Sequence, residues 1–222
     1  MYEAKAAYFD ANVEAPWAAA EYGPEEITKL DRLVAHIGPL WGLKVLEPGC
    51  GTGRLTEILS DLVGPTGVVV ALDISPMMVK AARSRTATRE NVEIHLSAVE
   101  DFPMEEGEYD LIVCHQVFPH FEDKRQALTS LSKALKPEGR LVVIHFISFD
   151  EINDRHRKAG TAVEMDMMPE KDEMRRLFGE TGFEVEFILD DHLGYFLSAS
   201  QMNHRNEKEA NLGRNGRFRS FR

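Results

Sequence analysis

Glu47-Pro48-Gly49-Cys50-Gly51-Thr52-Gly53 follows the apolar run Leu43-Lys44-Val45-Leu46 and leads into an amphipathic stretch from about Thr52 to Val63. A short buried strand, a glycine-rich turn and a helix, in that order, read as the first strand–helix unit of an open α/β sheet. The rhythm repeats downstream: a strand over 68–72 with Asp73 at its end, a helix opened by Ser75-Pro76 and running to about Arg85, and strands over 92–96 and 109–114. A helix over 123–135, a turn at Lys136-Pro137-Glu138-Gly139 and a strand over 140–146 continue it. Strands separated by helices imply right-handed crossovers and a parallel sheet. After a helix over 170–180, the strand-like runs 183–189 and 194–199 are separated only by Asp190-Asp191-His192-Leu193, too few residues for a crossover, so they must form an antiparallel hairpin. The expected fold is α/β: a doubly wound, mostly parallel seven-stranded sheet with one antiparallel strand near the C-terminus.

Upstream, 2–12 and 25–37 read as helices, the second opened by Pro24 and carrying Ile27, Leu30, Leu33, Val34 and Ile37 at helical spacing. The domain reading is an N-terminal helical preface over 1–40, one domain over 41–202 and a tail over 203–222. The tail holds six basic residues against Glu207 and Glu209, a local +4 that leaves −15 of the net −11 on residues 1–202. It reads as a solvated terminus, or, with Phe218 and Phe221 among its arginines, as an arm that touches RNA or an acidic partner surface.

With 26 Lys plus Arg against 37 Asp plus Glu, nucleic acid and anionic membrane are disfavoured as general partners. No apolar run approaches the roughly 20 residues a membrane helix needs, and no basic-then-apolar leader opens the chain, so the expected location is the cytoplasm. Cys50 and Cys114 are the only cysteines and form no Cys-x-x-Cys pair, which excludes a thiolate zinc site within one chain.

The missing Cβ atoms of the glycine turn let the backbone approach a ligand, and the helix start behind it favours a negative group. That much suits either a dinucleotide or S-adenosylmethionine. The dinucleotide fingerprint asks for a third glycine where this chain has Arg54, so a pyrophosphate cradle is disfavoured. Asp73, at the end of the next strand, is placed to accept hydrogen bonds from both hydroxyls of a ribose.

At these residues the chain resembles the class I S-adenosylmethionine-dependent methyltransferases, in particular the small-molecule branch that includes the ubiquinone/menaquinone-type enzymes. The resemblance runs from residue 8 to 200, through Tyr8-Phe9-Asp10 with Trp17, the glycine motif, Leu72-Asp73-Ile74-Ser75-Pro76-Met77-Met78, Tyr109-Asp110-Leu111-Ile112-Val113, His120-Phe121-Glu122-Asp123, Leu135-Lys136-Pro137-Glu138-Gly139-Arg140-Leu141 and Gly182-Phe183. It implies S-adenosylmethionine as cofactor, with Gly49, Gly51 and Gly53 receiving its methionine part, Glu47 near its amino group, Asp73 on the ribose, and Ile74 and Met78 against the adenine. The acid that usually holds the adenine amino group is replaced here by Ala98; Glu100 or Asp101 stands in for it, with the Val99 backbone on the adenine edge. Cys114 and His115, closing the fourth strand, complete the cofactor set.

The methyl of a sulfonium is already activated, so the protein has chiefly to align an acceptor and exclude water. A base with a pKa near the working pH makes histidine the first candidate. His120, His145 and His156 follow the strands whose carboxyl ends form the ligand crevice, and are the candidate catalytic residues. Their spacing matches no zinc signature, and no metal is assigned. Residues 148–169, with Asn153, His156, Arg157, Asp166 and three methionines, read as a substrate-lid insertion. The function expected is methyl transfer to a small-molecule acceptor. The alternatives are a protein that binds the cofactor without transfer, and a nicotinamide-dependent oxidoreductase.

Overall fold

The computed structural model describes residues 2–160 and 162–202; the basic tail therefore lies outside the described residues. Three helices, α1 (Glu3–Ala11), α2 (Pro16–Ala19) and α3 (Pro24–Ile37), precede β1 (Lys44–Pro48), α4 (Arg54–Val63), β2 (Val68–Asp73), α5 (Pro76–Arg85), β3 (Val92–Leu96) and β4 (Tyr109–His115). A 3₁₀ turn (Phe118–His120) leads to α6 (Lys124–Ala134), β5 (Leu135–His145), α7 (Phe149–Lys158), α8 (Lys171–Glu180), β6 (Phe183–Asp191) and β7 (Gly194–Gln201).

The seven strands form one sheet in the order β3-β2-β1-β4-β5-β7-β6. β7 runs antiparallel to both β5 and β6, and the other neighbours pair in parallel. Six parallel strands and one reversed strand bear out the expected fold. Because side chains alternate along a strand, Val45, Val69, Leu111, Val113 and Val142 pack one face against α3 and α4. Their neighbours Leu46, Val70, Ile112, Cys114 and Val143 pack the other face against α6 and α8. Chain order reverses between β1 and β4, and in an open α/β sheet the crevice beyond those strand ends is where ligands sit.

Two local expectations, at 136–139 and at the last hairpin, are corrected, and the 148–169 segment gains a helix. Lys136-Pro137-Glu138-Gly139 lies within β5: Tyr109 pairs with Leu135 and Leu111 with Arg140, so the four residues bulge out of a continuing strand. Residues 148–169 contain α7, started by Ser148, whose hydroxyl accepts from Glu151 N while the Glu151 carboxylate accepts from Ser148 N at 3.1 Å. That Ser-x-x-Glu capping box was legible in the sequence. The hairpin is tighter than read, since Asp190 pairs with Tyr195 and Asp191 with Gly194, leaving His192 and Leu193 as the loop. No helix among the described residues is long and apolar enough to cross a membrane.

Candidate active site

A cavity of about 350 Å³ opens at the β1/β4 switch, within the size range of small-molecule sites. One wall is the glycine turn. Gly51 has φ +55°, and no heavy atom lies within 4 Å of where its Cβ would stand, so the missing side chain is open cavity. Cys50 N donates to Leu72 O at 2.8 Å, which holds the turn to the end of β2. Asp73 completes the hold: its two carboxylate oxygens accept from Gly51 N at 2.8 Å and Ser75 N at 2.9 Å. Asp73 is 8% exposed; burial pushes its carboxyl up to about 6 despite those N–H bonds. An ionised carboxylate has about four lone-pair sites, so it keeps acceptor capacity toward the cavity it lines.

Ile74, Met78 and Val99 form an apolar wall beside Asp73, and Gly49 and His115 also line the cavity. Four residues expected at the cofactor do not. Gly53 is the N-cap of α4, and a Cβ there would meet the Ala82 backbone at 3.0 Å. Cys114 lies at 0% exposure in the core, where burial pushes its thiol up. Glu47 lies behind the wall and accepts from Thr56 Oγ1 at 2.6 Å; burial pushes its carboxyl up to about 8. Glu100 accepts from the Tyr2 hydroxyl at 2.7 Å, so its carboxylate anchors the N-terminal segment.

His120, His145 and His156, widely separated in sequence, all line the cavity. The His120 and His156 rings are 4.8 Å apart, and His120 Nδ1 is 2.8 Å from Asp166 Oδ2. Burial lowers His145 well below the imidazole range; burial and the neighbouring His120 take His156 down to about 4, and burial with the Arg54 charge takes His115 down to about 3. These three rings are neutral at pH 7. No group of three or more His, Cys, Asp or Glu side chains that could hold a metal ion occurs among the described residues.

The preface does more than precede the sheet. Tyr2, Tyr8, Phe9, Trp17 and Tyr22 line the cavity, so α1 and α2 fold over its mouth. Asp10 Oδ1 accepts from Ser75 Oγ at 2.5 Å and Met77 N at 2.9 Å, setting an acid at the N-terminus of α5. Thr52 Oγ1 donates to Ala18 O at 2.5 Å. Arg54 donates to Ala20 O at 2.7 Å and Trp17 O at 2.5 Å, with its guanidinium 4.3 Å from the Tyr22 ring centroid. The residue that breaks the dinucleotide fingerprint is thus the one that ties down the cover. Sequence reasoning missed this role, although the five aromatic residues from Tyr2 to Tyr22 were a signal, since large rings gathered in one short segment need a surface to cover.

Arg54→Ala removes two charge-assisted hydrogen bonds and a ring contact, exposed enough that roughly 1–2 kcal/mol is the expected local loss. Limited proteolysis between α1 and α3 should become about tenfold faster, in line with local opening, while the global unfolding midpoint barely moves.

Residues 41–182, more than half of the chain, match the methyltransferase domain family. Over 113 residues the chain is 33% identical to a demethylmenaquinone methyltransferase of Staphylococcus aureus, covering 51% of this chain and 47% of that protein. Over 102 residues it is 37% identical to an uncharacterized 37.1 kDa protein in transposon Tn4556 of Streptomyces fradiae, covering 46% and 30%. The matches thus span less than half the length of these curated relatives. Among solved structures, a putative S-adenosyl-L-methionine-dependent methyltransferase from Methanococcus maripaludis superposes with TM-score 0.67 at 19% identity, over 92% of this chain and 95% of that one. The putative methyltransferase complexed with the Trm112 activator from Haloferax volcanii gives TM-score 0.73 at 18% identity, over 88% and 98%. With the sheet order and the position of the cavity, the match over 41–182 shows that this chain belongs to the methyltransferase domain family.

Proposed function

We propose that the protein transfers a methyl group from S-adenosylmethionine to a small-molecule acceptor. The observation that carries this reading is Asp73, buried at the end of β2, pinning the glycine turn with two backbone N–H bonds while facing a cavity of about 350 Å³. The residues fit the cofactor. Asp73 would take the ribose hydroxyls, Ile74, Met78 and Val99 the adenine, and the open side of Gly51, with Gly49, the amino-acid part. Glu47 supports the amino-acid end from behind the wall, and Cys114 supports the floor as packing. When bound, S-adenosylmethionine supplies a methyl group on a positively charged sulfur. The chain's own part is to hold an acceptor at the histidine end of the same cavity, keep water out with α1, α2 and the 148–169 segment, and receive a proton.

Family membership, the relative named for demethylmenaquinone and neighbours named for S-adenosylmethionine support this reading. A nicotinamide reading is disfavoured because Arg54, bonded to the carbonyls of Trp17 and Ala20, stands where the dinucleotide fingerprint has its third glycine for close helix–strand packing. Calorimetry with S-adenosylmethionine, S-adenosylhomocysteine and NAD tests it: the first two should bind and NAD should not. An acceptor screen scored by S-adenosylhomocysteine release then separates transfer from binding alone.

Binding should also release protons. A carboxylate held up near 6 by burial is partly protonated in the free protein, and ribose hydroxyls and a cationic sulfur favour its charged form. The site's pKa falls on binding, so affinity should rise with pH between about 5 and 7 and then level off. Calorimetry in buffers of different ionisation enthalpy reads the released fraction. Release confined to that window assigns it to Asp73; release continuing toward pH 8 brings in Glu47.

A further inference from the structure

A second polar cluster is buried where α1, the 3₁₀ turn and the segment after α7 meet. Asp166 is 8% exposed and uses both carboxylate oxygens: Oδ2 lies 2.8 Å from His120 Nδ1 and Oδ1 lies 2.8 Å from Lys5 Nζ. Lys5, on α1, also donates to His120 O at 3.0 Å and lies 3.4 Å from the Glu122 carboxylate. Burial alone would raise the Asp166 carboxyl, but the bonds from His120 and Lys5 outweigh it and hold it below its ordinary value. A carboxylate only accepts, so Nδ1 of neutral His120 carries the ring proton and Nε2 keeps its lone pair. Two more imidazole nitrogens, His145 Nε2 and His156 Nδ1, are buried without a hydrogen-bond partner among the described residues. Unpaired buried nitrogens are costly, and here both belong to rings that line the cavity, so they call for a ligand with polar groups at this end.

We propose that Asp166 and Lys5 are positioning residues that hold His120 as general base toward an acceptor bearing a dissociable O–H, and that this base is complete only when α1 is seated. The proposal rests on the methyltransferase reading above. Among the described residues that line the cavity the one carboxylate is Asp73, on the nucleoside side, whereas Arg155 lines it together with the histidines. An ammonium acceptor would meet no free counter-charge at the histidine end, so a neutral hydroxyl suits it better. As the acceptor oxygen takes the methyl, its O–H bond breaks and the proton passes to His120 Nε2, while the S–C bonding pair stays on sulfur. One positive charge thereby moves from sulfur to the imidazole, where Asp166 faces it; the proton then leaves to water.

Around the His120–Asp166 pair stand Lys5 from α1, which also pairs with Glu122, and Lys124 from α6, near enough to feel the Asp166 charge, while His145 from β5 and His156 from α7 feel the charge of His120. The test is histidine ring NMR on the full chain, with and without S-adenosylhomocysteine. Wild type should show His120 as the Nδ1–H tautomer, with that proton held by Asp166 against exchange with water. Asp166→Asn should release it, speeding exchange of the Nδ1 proton by about tenfold, the worth of one hydrogen bond to a charged group, and Lys5→Met, which frees α1 from Asp166, should speed it too. An Nε2–H tautomer in wild type, or an Nδ1 proton that neither variant releases, overturns the proposal. If Asp166→Asn does not fold, the exchange in Lys5→Met decides alone. Wild-type binding of S-adenosylhomocysteine keeps the two readings apart: its absence sinks the methyltransferase reading, and its presence with an Nε2–H His120 sinks only the positioning.

Discussion

Asp73→Ala is expected to weaken S-adenosylhomocysteine binding by roughly 10²–10⁴-fold, the equivalent of two hydrogen bonds to a charged group at about 1.5–3 kcal/mol each. The same substitution strips Gly51 N and Ser75 N of their acceptor, so the glycine turn loses its hold on β2 as well as its ligand contact. Asp73→Asn separates the two roles. An amide keeps one oxygen acceptor but cannot ionise, so it should bind about tenfold less tightly than wild type at pH 7.5 and lose the rise in affinity between about pH 5 and 7. Calorimetry across that pH range reads both variants; an Asp73→Ala protein that binds like wild type would remove the ribose contact and with it the proposed function.

Gly194→Ala should be strongly destabilising. Gly194 opens β7 at φ +96°, and a Cβ there would stand 2.2 Å from His145 O and 2.7 Å from Phe146 C. Both atoms are backbone, at and just beyond the end of β5, and cannot swing aside as a side chain would. Adding the left-handed strain of about 1–2 kcal/mol to the displacement of a paired strand puts the cost at roughly 3–5 kcal/mol. For a chain of this size that lowers the midpoint of thermal unfolding by roughly 10 °C, read by calorimetry or circular dichroism. His145 belongs to the displaced backbone, so cavity binding should suffer before the sheet melts.

The sheet was readable because its signals are local. Val68 to Asp73 and Val92 to Leu96 are apolar or alternating runs bounded by turns, and the four residues between the last two strands excluded any connection but a hairpin. Asp73 and the glycine turn were readable for the same reason, since a strand end fixes where a side chain or a missing one must sit. The rest depended on contacts between distant residues. Nothing adjacent to Glu100 announces that Tyr2 will claim its carboxylate, nor anything near Arg54 that two carbonyls from 17 and 20 will cap it. Three histidines were placed at the right edge by strand order, but their ranking came only when Asp166, 46 positions from His120, was seen beside one of them. In 148–169 the polar composition hid a capped helix, because charge on the outer face of α7 masked the few residues, Ile152 and Asn153, that it buries.

The placement of β7 also bears on how the chain is made. Strand β6 touches the sheet only through β7, which is the later of the two to be synthesised. During translation the hydrogen-bonding rim of β5 therefore waits open until residues near 201 have left the ribosome, and the nascent chain must keep that rim from foreign strands in the meantime. Arrest of synthesis before that point should yield a species that chaperones hold and proteases clear, while a few residues more give a closed sheet.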